Sequence, residues 1–263
     1  MAMTGNSARI DPILQWNKRM ESSSHTTLDA CQRKISATSC DVLSELRQRG
    51  QLCDAVLKAD GVEFPIHRPI MSACSPYFRA LFTNGLYETE QKTLEIPGIS
   101  AKMMEIVVDF AYTREASVTS DNVEELLPVA DQLHIVGLVK ACCKFLKAKL
   151  AIDNCIGIRN FARNYFCTLL ANDAMRFVLR NFSEICEKSN ELLTLTLEEM
   201  VEILGHEELN AKTEEPVFET VIRWIDHDVQ NRRQHIFPLL RCTRLCLLST
   251  TYFVEKVNVT TKI

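Results

Sequence analysis

The strongest limit on how this chain can fold is a change of hydrophobic period. From Ser100 onward, apolar residues recur at three- and four-residue intervals, the spacing of a helix with one face to bury. Met103, Ile106, Val107, Phe110 and Ala111 form one such stripe, and Leu126, Leu127, Ala130 and Leu133 a second. Val136, Val139, Cys143 and Leu146 form a third. Ahead of Ser100 the pattern differs. Ala55-Val56-Leu57-Lys58-Ala59 and Val62-Glu63-Phe64-Pro65-Ile66 are short extended runs separated by Asp60-Gly61, a dipeptide suited to a tight hairpin turn. Thr93-Leu94-Glu95-Ile96, followed by Pro97-Gly98, adds a third strand. Ser75-Pro76 opens a helix carrying Tyr77, Phe78, Leu81 and Phe82; Ser39 caps an earlier one bearing Val42, Leu43 and Leu46, which Gly50 ends. A small sheet with helices packed on it is an α+β unit.

After Ala151-Ile152-Asp153 no strand-like alternation remains. Thr196-Leu197-Glu198-Glu199 has capping-box spacing, and Pro216 opens a helix with the stripe Val217, Phe218, Val221, Ile222 and Ile225. This half reads as a stack of antiparallel helix pairs. Residues 1–37, with Ser22-Ser23-Ser24 and little periodicity, are expected to be a disordered arm. The expected division is thus 38–150 for the α+β domain and 151–263 for the all-helical one. A chain of 263 residues buries real cores without disulfide or metal staples. Eight glycines, no two adjacent, are far below the usual ~7% and argue against a turn-rich propeller.

A net charge of -4 with scattered basic residues gives no electrostatic footprint for nucleic acid. The longest apolar stretch, Ile135 to Val139, falls far short of the ~20 residues of a membrane helix. The first residues lack the pattern of a secretory signal. Eleven cysteines, an odd number mostly inside apolar helical patterns, read as reduced thiols used as small hydrophobes.

Chemistry-bearing constellations are weak. Cys242 and Cys246 beside His235 are the nearest approach to a metal site, without the second ligand pair that zinc normally takes, so no metal or cofactor is expected. His67 directly follows the second strand and reads as a structural histidine; Glu88, Glu90 and Glu95 read as solvated carboxylates. Arg232-Arg233 with Arg241 and Arg244 reads as a wet helix face with a capping contribution. What remains is binding. The Val42-Leu43-Leu46 stripe suits internal core and self-association equally, and Gly85-Leu86-Tyr87-Glu88 is either a contact loop or a segment tucking Leu86 into its own core.

Several stretches together resemble a BTB domain followed by a BACK domain, as in kelch-like proteins. They are Leu52-Cys53-Asp54-Ala55-Val56-Leu57, Phe64-Pro65-Ile66-His67-Arg68, Ser75-Pro76-Tyr77-Phe78-Arg79-Ala80-Leu81-Phe82 and Asp109-Phe110-Ala111-Tyr112-Thr113. Later come Asp153-Asn154-Cys155-Ile156-Gly157-Ile158, Glu208-Leu209-Asn210 and Val217-Phe218-Glu219 with Trp224. The resemblance implies an α+β BTB/POZ domain followed by an all-α BACK domain, acting as a non-catalytic adaptor for cullin 3 in a ubiquitin ligase. In that family a hydrophobic–any–glutamate motif engages the cullin, and Leu86-Tyr87-Glu88 matches it. Tyr112 and His134 fall where further cullin contacts are expected, and Ile158 and Phe161 where the first BACK helices widen the groove. Leu43, Leu46, Asp54 and His67 correspond to the dimer region.

The implied partners are therefore cullin 3 and a second BTB chain, either identical or another BTB-kelch protein. The implied location is cytoplasmic, with the nucleus a second one. A transcriptional cofactor binding corepressor peptides is the alternative that BTB dimers allow. The family's substrate-reading kelch propeller is not expected within these residues. Asn122 stands where the family's oxidant sensor has a cysteine, so that sensing role is not carried over, and Pro69 after His67-Arg68 departs from many relatives.

Overall fold

The computed structural model describes residues 38–83, 91–252 and 254–255. Their contacts divide the chain into two units: residues up to Cys74 with Phe78–Glu115, and Ser75–Tyr77 with the chain from Ala116 onward.

The first unit starts with helix α1 over 38–48. Gly50, at φ +65°, ends it: its amide donates to the Arg47 carbonyl and that of Gln51 to the Leu46 carbonyl, so two orphan acceptors are satisfied at once. Strands β1 (Ala55–Ala59) and β2 (Val62–Ile66) pair antiparallel, Leu57 opposite Phe64. Asp60 (φ 51°) and Gly61 (φ 79°) make the turn with the two positive φ angles that the dipeptide predicts. β3 (Thr93–Glu95) joins β1 in parallel on its other edge, Leu57 opposite Leu94, giving the order β2-β1-β3. The central strand therefore buries Ala55, Leu57 and Ala59 completely.

Helix α2 (Arg68–Cys74) follows β2 directly and was not anticipated. Its first amide, that of Arg68, donates to the Asp54 carboxylate at 2.8 Å, a cap supplied from the far side of the hairpin, and Pro69 sits in the first turn, where a missing N–H costs nothing. Helix α3 spans Pro76–Thr83, with Phe78 and Phe82 stacked at 6.0 Å. Helix α4 (Ala101–Thr113) has Ser100 as N-cap and buries Met103, Met104, Val107, Val108 and Tyr112. That face is rotated from the expected stripe, leaving Ile106 and Phe110 half-buried.

The second unit is helical: α5 (Val123–Gln132), α6 (Val136–Ala148), α7 (Cys155–Asn164), α8 (Thr168–Arg180), α9 (Phe182–Lys188), α10 (Leu197–Leu204) and α11 (Glu215–His227), followed by shorter turns. Asn122 precedes α5 and is buried; its side-chain oxygen accepts from the Thr119 amide and its nitrogen donates to the Ser117 carbonyl, both at 2.8 Å. The Thr196–Glu199 capping box forms as predicted. Phe182, Ile185, Met200, Val221 and Trp224 lie in one hydrophobic core, where the indole N–H donates to the Leu195 carbonyl. Arg232 stacks on Trp224 at 4.2 Å and donates to the Leu193 and Trp224 carbonyls, so it is a clamp rather than part of a wet face. Among the described residues no helix is long and apolar enough to cross a membrane.

Candidate functional site: an apolar groove

Three turns of the second unit build an open groove. On α6, residues 136, 139, 140, 143, 144 and 147 share one helical face, presenting Val136, Val139 and Cys143 with three lysines alongside. The opposite wall comes from the link between α7 and α8 and the start of α8: Tyr165, Phe166, Cys167, Leu169 and Asp173. Pro76, Asp131 and His134 close one end. The groove's volume is about 670 Å³.

Two helix ends shape it in the same way. After α5, the amides of His134 and Ile135 donate to the carbonyls of Asp131 and Ala130; after α7, those of Phe166 and Cys167 donate to Arg163 and Ala162. Each link requires its middle residue in the left-handed region, which glycine usually fills. Here the residues are His134 (φ 51°) and Phe166 (φ 53°). A side chain there costs about 1–2 kcal/mol. The conformation turns Phe166 outward, 86% exposed, with Leu169 at 81% and Val136 at 59%. The groove thus presents a cluster of large apolar groups to solvent, Phe166 at a conformational cost.

The groove's charge lies on its rim. Lys147 pairs with Asp173 at 2.6 Å, tying α6 to α8, and pulls the Asp173 carboxyl below its ordinary range. Lys140 and Lys144 extend the basic edge along α6. His134 is exposed, and its Nδ1–H donates to the Asp131 carbonyl at 2.8 Å, which fixes the ring's orientation.

The other expected residues are distributed differently. Leu86, Tyr87 and Glu88 lie outside the described residues. Phe161 is half-buried and packs edge-on against Tyr165 at 5.0 Å, backing the groove wall; Ile158 is buried on α7 and is not among the described groove-lining residues. Tyr112 and His67, assigned to different surfaces by the sequence reading, meet each other in the first unit. The Tyr112 hydroxyl accepts from the His67 amide at 2.8 Å and lies 2.9 Å from Nδ1. Nε2 lies 2.9 Å from the Gln51 carbonyl, which only accepts, so Nε2 carries the proton and bare Nδ1 accepts from the tyrosine. Tyr112 is 1% exposed and His67 6%, and within this chain the pair braces the first unit. Cys53 Sγ lies 3.8 Å from Nε2, but that nitrogen already donates to Gln51, and burial raises the Cys53 pKa; this is no activated thiol.

Arg47 on α1 pairs with Asp109 at 2.5 Å and stacks over Tyr112 at 5.1 Å. Those contacts dock α1 while leaving Val42 48% exposed and Leu43 and Leu46 half-buried. Asp54 is exposed and caps α2 as above. Among the described residues no group of three or more histidine, cysteine or carboxylate side chains is arranged to hold a metal. The sequence reading missed Phe166 and Leu169; the available signal was the Tyr165-Phe166 pair between two helical stripes.

Comparison with known proteins gives this architecture its class. The BTB/POZ domain family model matches residues 43–150, and the model described as BTB And C-terminal Kelch (BACK) matches 155–258. The chain is thus a BTB–BACK protein. Kelch-like protein 17 from Mus musculus and from Homo sapiens are each 40% identical over 216 residues, 82% of this chain, and the chain belongs to the kelch-like family. It spans about a third of the length of those relatives, 34%. The solved BTB domain of zebrafish PATZ1 aligns at 32% identity with a TM-score of 0.41, over 44% of this chain and 94% of that one.

Proposed function

We propose that this protein is a non-catalytic adaptor that pairs through its BTB domain and docks cullin 3, placing it in a ubiquitin ligase. The observation that carries this reading is the groove: Phe166 and Leu169 are held exposed beside a lysine-edged apolar trough. Such a surface suits an apolar segment with acidic flanks. The apolar anchors supply affinity, and the charged rim sets register and encounter rate. Membership of the kelch-like family supports cullin 3 as the source of that segment. The Leu86-Tyr87-Glu88 motif is assigned the second cullin contact, a leucine anchor beside an orienting carboxylate. Val42, with half-buried Leu43 and Leu46, offers the surface for a second chain.

Light scattering on the protein mixed with the N-terminal region of cullin 3 tests both parts. The expected mass is that of two chains and two cullin fragments, and Leu86→Ala/Glu88→Ala keeps the pair of chains while losing the cullin. A lone chain, or equal cullin retention by the variant, overturns the corresponding half.

A further inference from the structure

We propose that a second, polar pocket beside Phe166 takes an acidic side chain of the segment that docks in the apolar groove, and so selects which segments fit. The inference rests on the docking role proposed above and adds a specificity subsite to it.

This pocket has a volume of about 310 Å³. Phe166 and Thr168 line both it and the apolar groove, so the two adjoin at the exposed phenylalanine, and a segment that covers Phe166 borders both. Its chemistry differs from that of the trough. Helix α7 supplies Arg159 and Arg163, one turn apart, and α10 supplies Glu202. Arg159 is 1% exposed; it donates to Glu202 and to the Asn160 side chain at 3.0 Å, with Glu199 at 3.6 Å. A guanidinium buried that deeply has to be matched by carboxylates, which commits Glu202 to it. Arg163 donates to the same Glu202 oxygen at 2.7 Å, and among the described residues it pairs with no other carboxylate.

One carboxylate oxygen therefore serves two cations, and Arg163 is the outer of the two, its side chain 48% exposed. A guanidinium carries a planar fork of N–H donors that matches a carboxylate. On α8, Thr168 and Asn172 are exposed, one turn apart, and line the same pocket, adding hydroxyl and amide donors. An incoming aspartate or glutamate accepts from Arg163 with full charge assistance and from Asn172 or Thr168 through its remaining lone pairs. An incoming lysine or arginine meets like charge instead and is rejected. The lysine edge of the trough runs along α6 and attracts acids without fixing their place. The pocket, by contrast, demands one acid at a set distance from the apolar anchor.

Fluorescence anisotropy with a set of short labelled peptides tests this. Each peptide carries a leucine pair and one glutamate at a stepped distance from it, beside a twin with glutamine in that place. At one spacing the glutamate peptide is expected to bind wild type about tenfold more tightly than its twin. That preference disappears in Arg163→Gln, falls in Asn172→Ala and survives in Lys140→Gln/Lys144→Gln, with circular dichroism verifying that each variant is folded. No glutamate preference at any spacing overturns the pocket's role, as does a preference that persists in Arg163→Gln or one that vanishes in the lysine variant. Titration of the cullin 3 N-terminal region into wild type separates this inference from the reading it rests on. Cullin binding without any glutamate preference refutes the pocket and leaves the adaptor; a glutamate preference without cullin binding refutes cullin 3 as the partner and leaves the pocket.

Discussion

Tyr112 carries more of the first unit than its size suggests. Its hydroxyl satisfies the His67 amide and ring nitrogen, and its face supports Arg47, which in turn holds Asp109. Tyr112→Phe keeps the ring but strands both His67 groups in a buried place, so a loss of about 1–3 kcal/mol in chemical denaturation is expected. Burial also pushes the Tyr112 pKa up to about 12 from an ordinary 10.0. The folded state then holds a proton that the unfolded chain releases. Tyrosine's contribution is complete below pH 10 and drains away as pH climbs toward 12. The variant should show a shallower decline over that window; an unchanged alkaline slope would mean that the hydroxyl is not so held. This cluster was illegible beforehand because its partners lie 45 positions apart and meet only through the packing of α4 against β2 and α2. The structural role of His67, by contrast, followed from its place directly after a strand.

At the scale of elements, what the sequence revealed was what is locally determined. The Asp60-Gly61 hairpin and the Thr196 capping box formed as expected because each depends on residues within three positions of one another. Helix α2 was missed for the opposite reason: at seven residues it is too short to show a period, and its capping carboxylate belongs to Asp54. The groove was hidden too, since a phenylalanine at a position that normally calls for glycine leaves no compositional mark. That misfit gives a prediction. Phe166→Gly should relieve the left-handed backbone and raise stability by about 1 kcal/mol, read as a higher midpoint in urea, while weakening cullin 3 binding. A destabilised variant with intact binding would show that Phe166 serves the fold instead of the surface.

For the molecule as a whole, a BTB domain and a BACK domain account for nearly all the described residues. The proposed adaptor role asks exposed anchorage of the side chains. The paired carbonyl and imidazole around Cys53 make no reactive group: a cysteine beside a histidine is held inert by hydrogen bonding and burial. In the role proposed above, Phe166 and Leu169 are the anchors. Burying a side chain of that size is worth about 1.5–3 kcal/mol, so replacing both should cost at least 100-fold in affinity. The most direct measurement is calorimetric titration of the cullin 3 N-terminal region into wild type and into Phe166→Asp/Leu169→Asp, with circular dichroism to verify that the variant is folded. A folded variant that binds at least 100-fold more weakly is the predicted result; a folded variant with wild-type affinity would contradict the account.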